Sequence, residues 1–148
     1  YDQYPKYVEM DFANASYIEH VSGARSFGLE KELAYAQSIQ KCLGSSLDNA
    51  VGLSDEGVLN EEGLRYGDEF VKHKLLDAIG DLYLLGKPIL GAFSGYKSGH
   101  ALNNKLARAI LRCDDAWEIV TLKADIESGA GMPILHGLIH GQVNSSRG

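Results

Sequence analysis

The chain has 148 residues, enough for one domain with a buried core and too few for two ordinary ones. With 45% hydrophobic and 23% charged residues it reads as a globular protein rather than a disordered tail, and a net charge of −6 disfavours nonspecific attraction to nucleic acid. No apolar run approaches the ~20 residues of a membrane span, and two distant cysteines, Cys42 and Cys113, fit a reducing compartment better than a disulfide framework. The chain starts at Tyr1 without Met or a signal-like segment, so it is expected to be an internal or processed piece located in the cytoplasm.

In chain order, Val8, Met10 and Phe12 alternate with Glu9 and Asp11, which predicts a half-buried strand over 6–12. A short helix should begin near Asn14 to Ser16 and end at Gly23. Leu29, Leu33, Ala36, Ile39 and Leu43 fall at helical spacing before Gly44, which predicts a second helix. Ser54-Asp55-Glu56-Gly57 is a polar turn between two apolar runs, so 50–66 is expected to form a hairpin. The strongest helix signal runs from Asp68 to Leu85, with Val71, Leu75, Ala78, Ile79 and Leu82 as its apolar stripe and Gly86 and Pro88 as its stop. Ile89 to Phe93 reads as a short buried strand. Ser98 is expected to cap a helix presenting Leu102, Leu106, Ala109, Ile110 and Cys113 on one face, and Trp117 to Leu122 reads as a last strand. From Asp125 onward the chain is glycine-rich and aperiodic, and residues 125–148 are expected to be a tail of low order.

Residues 54–81 hold eight acidic and three basic residues, whereas 82–113 hold five basic residues and no acid. The pattern fits two solvated faces that attract each other, or a pocket near Lys97 and His100 for a phosphate-bearing ligand. Within the predicted helix, His73, Asp77 and Asp81 stand at i, i+4 and i+8, so they share one face opposite the apolar stripe, with Lys74 rotated off it. An imidazole and a carboxylate one turn apart can address one metal ion of the zinc type, and they can equally form a surface ion pair. His100, among small residues in Lys97-Ser98-Gly99-His100, fits either a general acid or part of a helix start. Ser26 offers a hydroxyl beside Gly28 without any nucleophile elbow around it. His136 and His140 also lie four apart, but Gly137 and Gly141 interrupt a helix there, and no Glu follows the first His as the metalloprotease motif requires.

The blocks Ser46-Leu47-Asp48-Asn49-Ala50, Val58-Leu59-Asn60-Glu61 and Gly63-Leu64-Arg65-Tyr66, the run Asp68 to Leu82, and Gly91-Ala92-Phe93 through Tyr96-Lys97-Ser98-Gly99-His100-Ala101-Leu102-Asn103-Asn104 together resemble the UDP-3-O-acyl-N-acetylglucosamine deacetylases. These are the zinc amidases that commit Gram-negative bacteria to lipid A. The likeness runs in order from about Tyr7 to Leu122 and covers only the second of the family's two domains. It implies an α+β fold, a two-layer α/β sandwich with a mixed sheet packed against helices and a β-α-β insert at about 27–53, within a domain spanning 1–124.

The resemblance further implies that His73 and Asp77 are two of three protein ligands to Zn2+. The third, a His preceded by the Glu that serves as general base, would belong to the missing first domain. His100 matches the general acid and Asp81 the carboxylate that orients it. Lys74 and Lys97 match positions near the nucleotide diphosphate, Phe27 and the segment from Leu29 to Leu53 match the lining of the acyl-chain passage, and Glu32 lies toward the uridine end. Ser26 stands where the family usually has Thr; its hydroxyl would help hold the tetrahedral oxyanion with a less restricted rotamer. The tail after Leu122 does not resemble the family, so His136 and His140 inherit no role. The expectation is a monomeric, zinc-dependent hydrolase of UDP-3-O-acyl-N-acetylglucosamine that releases acetate and needs its first domain. The alternative is a catalytically silent remnant that binds nucleotide-sugar or acyl chains.

Overall fold

A computed structural model describes residues 3–121 of the chain and the backbone of 138–142. The fold is mixed α+β. Strand β1 (Tyr7–Asp11) buries Val8 and Met10, with Phe12 just beyond it, as the two-residue alternation predicts. A short helix α1 (Tyr17–His20) follows, its first turn capped by the Ser16 hydroxyl, which accepts from the Glu19 N–H at 3.3 Å. The insert is a β-α-β unit: β2 (Ser26–Leu29), α2 (Glu30–Ser38) and β3 (Ala50–Leu53), with β2 and β3 parallel in register Ser26 to Ala50 through Leu29 to Leu53. The buried side chain of Asn60 braces β3, accepting from the Gly52 N–H and donating to the carbonyls of Leu47 and Ala50, each at 2.9 Å.

Helix α3 (Glu69–Leu82) is the axis of the molecule. Its stripe is buried as expected at Val71, Leu75, Ala78 and Leu82, and Ile79 is half-buried. Val71 and Leu75 pack against Val8, Met10, Phe12 and Val21, while Phe70, one position earlier, enters a second cluster with Val51 and Leu53. One helix therefore joins the main layer to the insert. A 3-10 turn at Tyr83–Leu85 closes on Gly86, whose φ of 78° is the left-handed geometry that a glycine permits at a helix end. Helix α4 (His100–Arg112) packs on α3.

Several expectations are corrected. Helix α2 stops at Ser38 rather than reaching Leu43, with Gln40 (φ 60°) and Cys42 (φ 52°) turning left-handed beyond it. Its apolar residues Tyr35, Ile39 and Leu43 are exposed, so no packing extends the helix, and the Ser38 hydroxyl bonds back to the Tyr35 carbonyl at 2.6 Å. The hairpin expected over 50–66 reduces to one antiparallel bridge, Leu53 to Val58, around the Ser54–Gly57 turn. The strand expected at Ile89–Phe93 is instead β4, Phe93–Tyr96; Pro88 has no N–H to give a ladder, and Ile89 and Leu90 are exposed.

Helix α4 begins after Gly99 with no side-chain cap from Ser98, and its buried positions are Asn103 and Ala107; the predicted stripe of Leu102, Leu106, Ala109 and Cys113 is exposed. Trp117 to Thr121 form no strand, although Trp117 is extended and its indole N–H donates to the Ile110 carbonyl at 2.8 Å. A strand β5 (Leu138–Gln142) lies within the stretch expected to have low order. It pairs antiparallel with β1 and parallel with β4, giving the sheet order β1-β5-β4. Gly141 within it hides the alternation that marks a strand in sequence. The expectations for 125–137 and 143–148, and for His136, lie outside the described residues.

Candidate metal centre

The site grows from the side of α3 opposite its core stripe. The ring of His73 is held from both sides: Nδ1 lies 3.0 Å from the Ala24 carbonyl, and the Phe27 ring stands edge-on with centroids 6.0 Å apart. A carbonyl only accepts, so Nδ1 carries the proton and Nε2 presents a lone pair when the ring is neutral. That Nε2 faces Asp77 Oδ1 at 3.3 Å. Two electron-rich atoms converging at this distance call for a cation or a proton between them, and an imidazole nitrogen beside a carboxylate oxygen is a donor set that suits zinc. Backbone orientation of the distal ring nitrogen is also the usual way a ligating histidine is aimed. The residues fit the ion. Among the described residues no group of three or more His, Cys, Asp or Glu is arranged to hold a metal.

One turn further, Asp81 accepts from His100 Nδ1 at 2.9 Å through Oδ2 and lies 3.1 Å from it through Oδ1, and the Asn103 amide donates to the same Oδ2 at 2.9 Å. His100 Nε2 thereby sits 4.0 Å from Asp77 Oδ2. The side chains of His73, Asp77 and Asp81 are largely covered, whereas that of His100 is 69% exposed, so the cluster opens to solvent on the α4 side. The face of α3 opposite its core stripe is thus partly covered, with α4 and β2 packed on the helix. Four of the predicted residues come together: His73, Asp77, Asp81 and His100.

Of the remaining predicted residues, Lys74 and Phe27 touch this cluster. Lys74, expected off the His73 face, reaches Asp77 Oδ2 at 3.1 Å because it stands three residues before that carboxylate, and its Nζ also lies 5.7 Å from the Phe27 ring centre. Phe27 packs on Phe70 as well as His73. Ser26 opens β2, two residues after the carbonyl that holds His73. Lys97 turns left-handed (φ 50°) and lays its ammonium 5.5 Å from the Tyr96 ring centre. Glu32 is exposed on α2.

The sequence reading misses what holds the loop carrying Ala24. Arg25 and Glu69 are both buried, and Glu69 accepts from the Arg25 N–H, its Nε and its Nη2 and from the Arg65 N–H at 2.6–3.2 Å. Nη2 also donates to the Gly63 carbonyl at 2.7 Å, and the other arm of Arg25, Nη1, donates to Glu62. Burial pushes the Glu69 carboxyl upward, but the guanidinium and the two backbone N–H groups outweigh it and hold the group below its ordinary 4.5. Arg25, in turn, is raised chiefly by its hydrogen bonds to Glu69. Arg25→Met should destabilise the fold by about 3 kcal/mol, because it leaves Glu69 buried without its cation. A group whose native value is depressed adds stability above its unfolded value and loses it as pH falls through the native one. Urea midpoints of the wild type should therefore decline as pH drops below 4.5, with a shallower decline in Arg25→Met; identical profiles would contradict this account.

The profile described as UDP-3-O-acyl N-acetylglycosamine deacetylase matches residues 3–112. Proteins named UDP-3-O-acyl-N-acetylglucosamine deacetylase are similar to the chain: one from Thioalkalivibrio sulfidiphilus is 55% identical over 121 residues, 82% of this chain and 40% of that protein. One from Nitrosococcus oceani is 56% identical over the same shares, and one from Tolumonas auensis is 52% identical over 92% of the chain and 43% of its own length. The chain spans about two fifths of the length of the curated relatives it matches.

Proposed function

Because the chain belongs to the UDP-3-O-acyl N-acetylglycosamine deacetylase family, we propose that it is the second domain of a zinc-dependent deacetylase. The reaction is hydrolysis of the N-acetyl group of UDP-3-O-acyl-N-acetylglucosamine, with release of acetate, in the lipid A biosynthesis of a Gram-negative bacterium. The observation that carries this reading is the convergence of His73, Asp77, Asp81 and His100 at 2.9–4.0 Å across two helices. The names of the relatives support the substrate.

His73 Nε2 and an Asp77 oxygen would hold zinc, which when bound supplies Lewis-acid polarisation of the acetamide carbonyl and an acidified water. The first domain contributes the third ligand and the glutamate that takes the water's proton. His100, protonated, delivers a proton from Nε2 to the departing amine nitrogen, without which an amide has a very poor leaving group. Asp81 keeps the other ring nitrogen occupied, so Nε2 remains the one facing the reaction. The Ser26 hydroxyl donates to the developing oxyanion. Lys74 and Lys97 serve the nucleotide diphosphate, Phe27 walls the acyl passage, and Glu32 lies toward the uridine. Binding the nucleotide away from the amide orients the reacting group.

Among the described residues no group of three or more donors is arranged to hold a metal, which supports a companion domain that completes the site. No described helix is long and apolar enough to cross a membrane, and a UDP-sugar substrate together with the free thiols Cys42 and Cys113 supports a cytoplasmic enzyme.

Zinc content and acetate release, measured on the 148-residue chain and on a form joined to its first domain, test the reading. Alone, the chain should hold zinc weakly and release no acetate; joined, it should hold one zinc and turn over. Tight stoichiometric zinc in the chain alone, lost on His136→Ala or His140→Ala, would assign the missing ligand to 125–148 instead. A joined form that binds the UDP-sugar without releasing acetate would establish the silent binding remnant.

A further inference from the structure

We infer that Asn103 is the positioning residue that fixes the Asp81 carboxylate beneath His100, an inference that rests on the proposed role of His100 as general acid. Asn103 is 2% exposed and lies on α4 one turn beyond His100, on the strip that also buries Ala107. A helix contact strip ordinarily takes an apolar residue, since a buried amide is costly unless its hydrogen bonds are made. Here the amide donor is committed to Asp81 Oδ2 at 2.9 Å.

The reason for that commitment lies in the geometry of the His100 bond. Nδ1 is 2.9 Å from one carboxylate oxygen and 3.1 Å from the other, so it does not by itself choose how the Asp81 carboxylate is rotated about its Cβ–Cγ bond. Asp81 belongs to α3 and His100 to α4. Asn103 ties the carboxylate to the helix that carries the ring. With the carboxylate plane set by this third contact, the imidazole plane is set as well, and Nε2 is kept 4.0 Å from Asp77 Oδ2. Outer partners of this kind commonly change activity by 10–100-fold.

The first test needs no turnover. In 15N spectra of the 148-residue chain at alkaline pH, the neutral His100 ring should carry its proton on Nδ1. Asn103→Leu keeps the size and suits a helix; it should shift the ring toward the tautomer mixture of an unconstrained imidazole. Should that variant fail to fold, Asn103→Ala, which removes the donor and suits a helix, is read in the same way. An unchanged tautomer in a folded variant overturns the inference.

The second test uses the full-length enzyme. Asn103→Leu should lower kcat about tenfold while KM and zinc content stay within about twofold. In an Asp81→Ala background the same change should lower kcat by less than about twofold, because its route of action is gone. Losses that multiply in the double variant mark Asn103 as a packing contact alone and overturn the inference. A full-length enzyme that releases no acetate at all defeats the functional reading, while the tautomer measurement still judges Asn103.

Discussion

His73→Ala, made in the full-length enzyme, is expected to lower acetate release by more than about a thousandfold, the several kcal/mol that Lewis-acid catalysis contributes. The substitution removes the nitrogen that faces Asp77 at 3.3 Å and leaves a single donor on α3. It should spare the fold. The buried stripe lies on the other side of the helix, and the Arg25–Glu69 network that anchors the adjoining loop does not involve the imidazole. Zinc content should fall in step with turnover, and excess zinc should restore little. His73→Gln separates loss of the nitrogen from loss of ring packing against Phe27, since it retains most of the bulk. Full zinc occupancy with wild-type turnover in either variant would remove His73 from the site.

His100→Ala is expected to act differently. Turnover should drop by roughly 10²- to 10⁴-fold, the usual contribution of a positioned acid, with zinc content near that of the wild type. The ring stands 4.0 Å from Asp77 Oδ2 and directs its other nitrogen at Asp81, so it borders the two donors without completing them. Its exposure also means that truncation leaves no cavity and should hardly alter stability. Substrates with a better leaving group than an alkylamine should be less affected by the loss. Zinc lost together with activity would contradict the role and make the residue a ligand.

Much of the site could be read from residue spacing and resemblance because its parts are local. His73, Asp77 and Asp81 lie on one helix, where the 3.6-residue repeat fixes their common face, and the apolar stripe of α3 marks the opposite side without ambiguity. The strand carrying Val8 and Met10 is legible for the same reason, a period of two. What escaped were contacts across long separations. Arg25 meets Glu69 over 44 residues, and no local pattern marks either as a partner. Asn103 looked like any polar helix residue between Leu102 and Leu106; those leucines, the natural candidates for burial, point away from α3 because that contact is used to reach Asp81. The sheet is the least local part of the fold. Its middle strand comes from Leu138–Gln142, where glycine blurs the alternation, and the strand's place between β1 and β4 is a tertiary choice among several short apolar runs.

The acceptor on which His73 leans belongs to the main chain. No change of the side chain at position 24 can delete it, so mutational drift there can alter bulk but never withdraw the anchor. An inhibitor that depends on the aim of this ring therefore faces few single-step escapes at its support. The exposed route runs through the codons for Arg25 and Glu69, where altering the loop's fastening would loosen the histidine at a cost in stability.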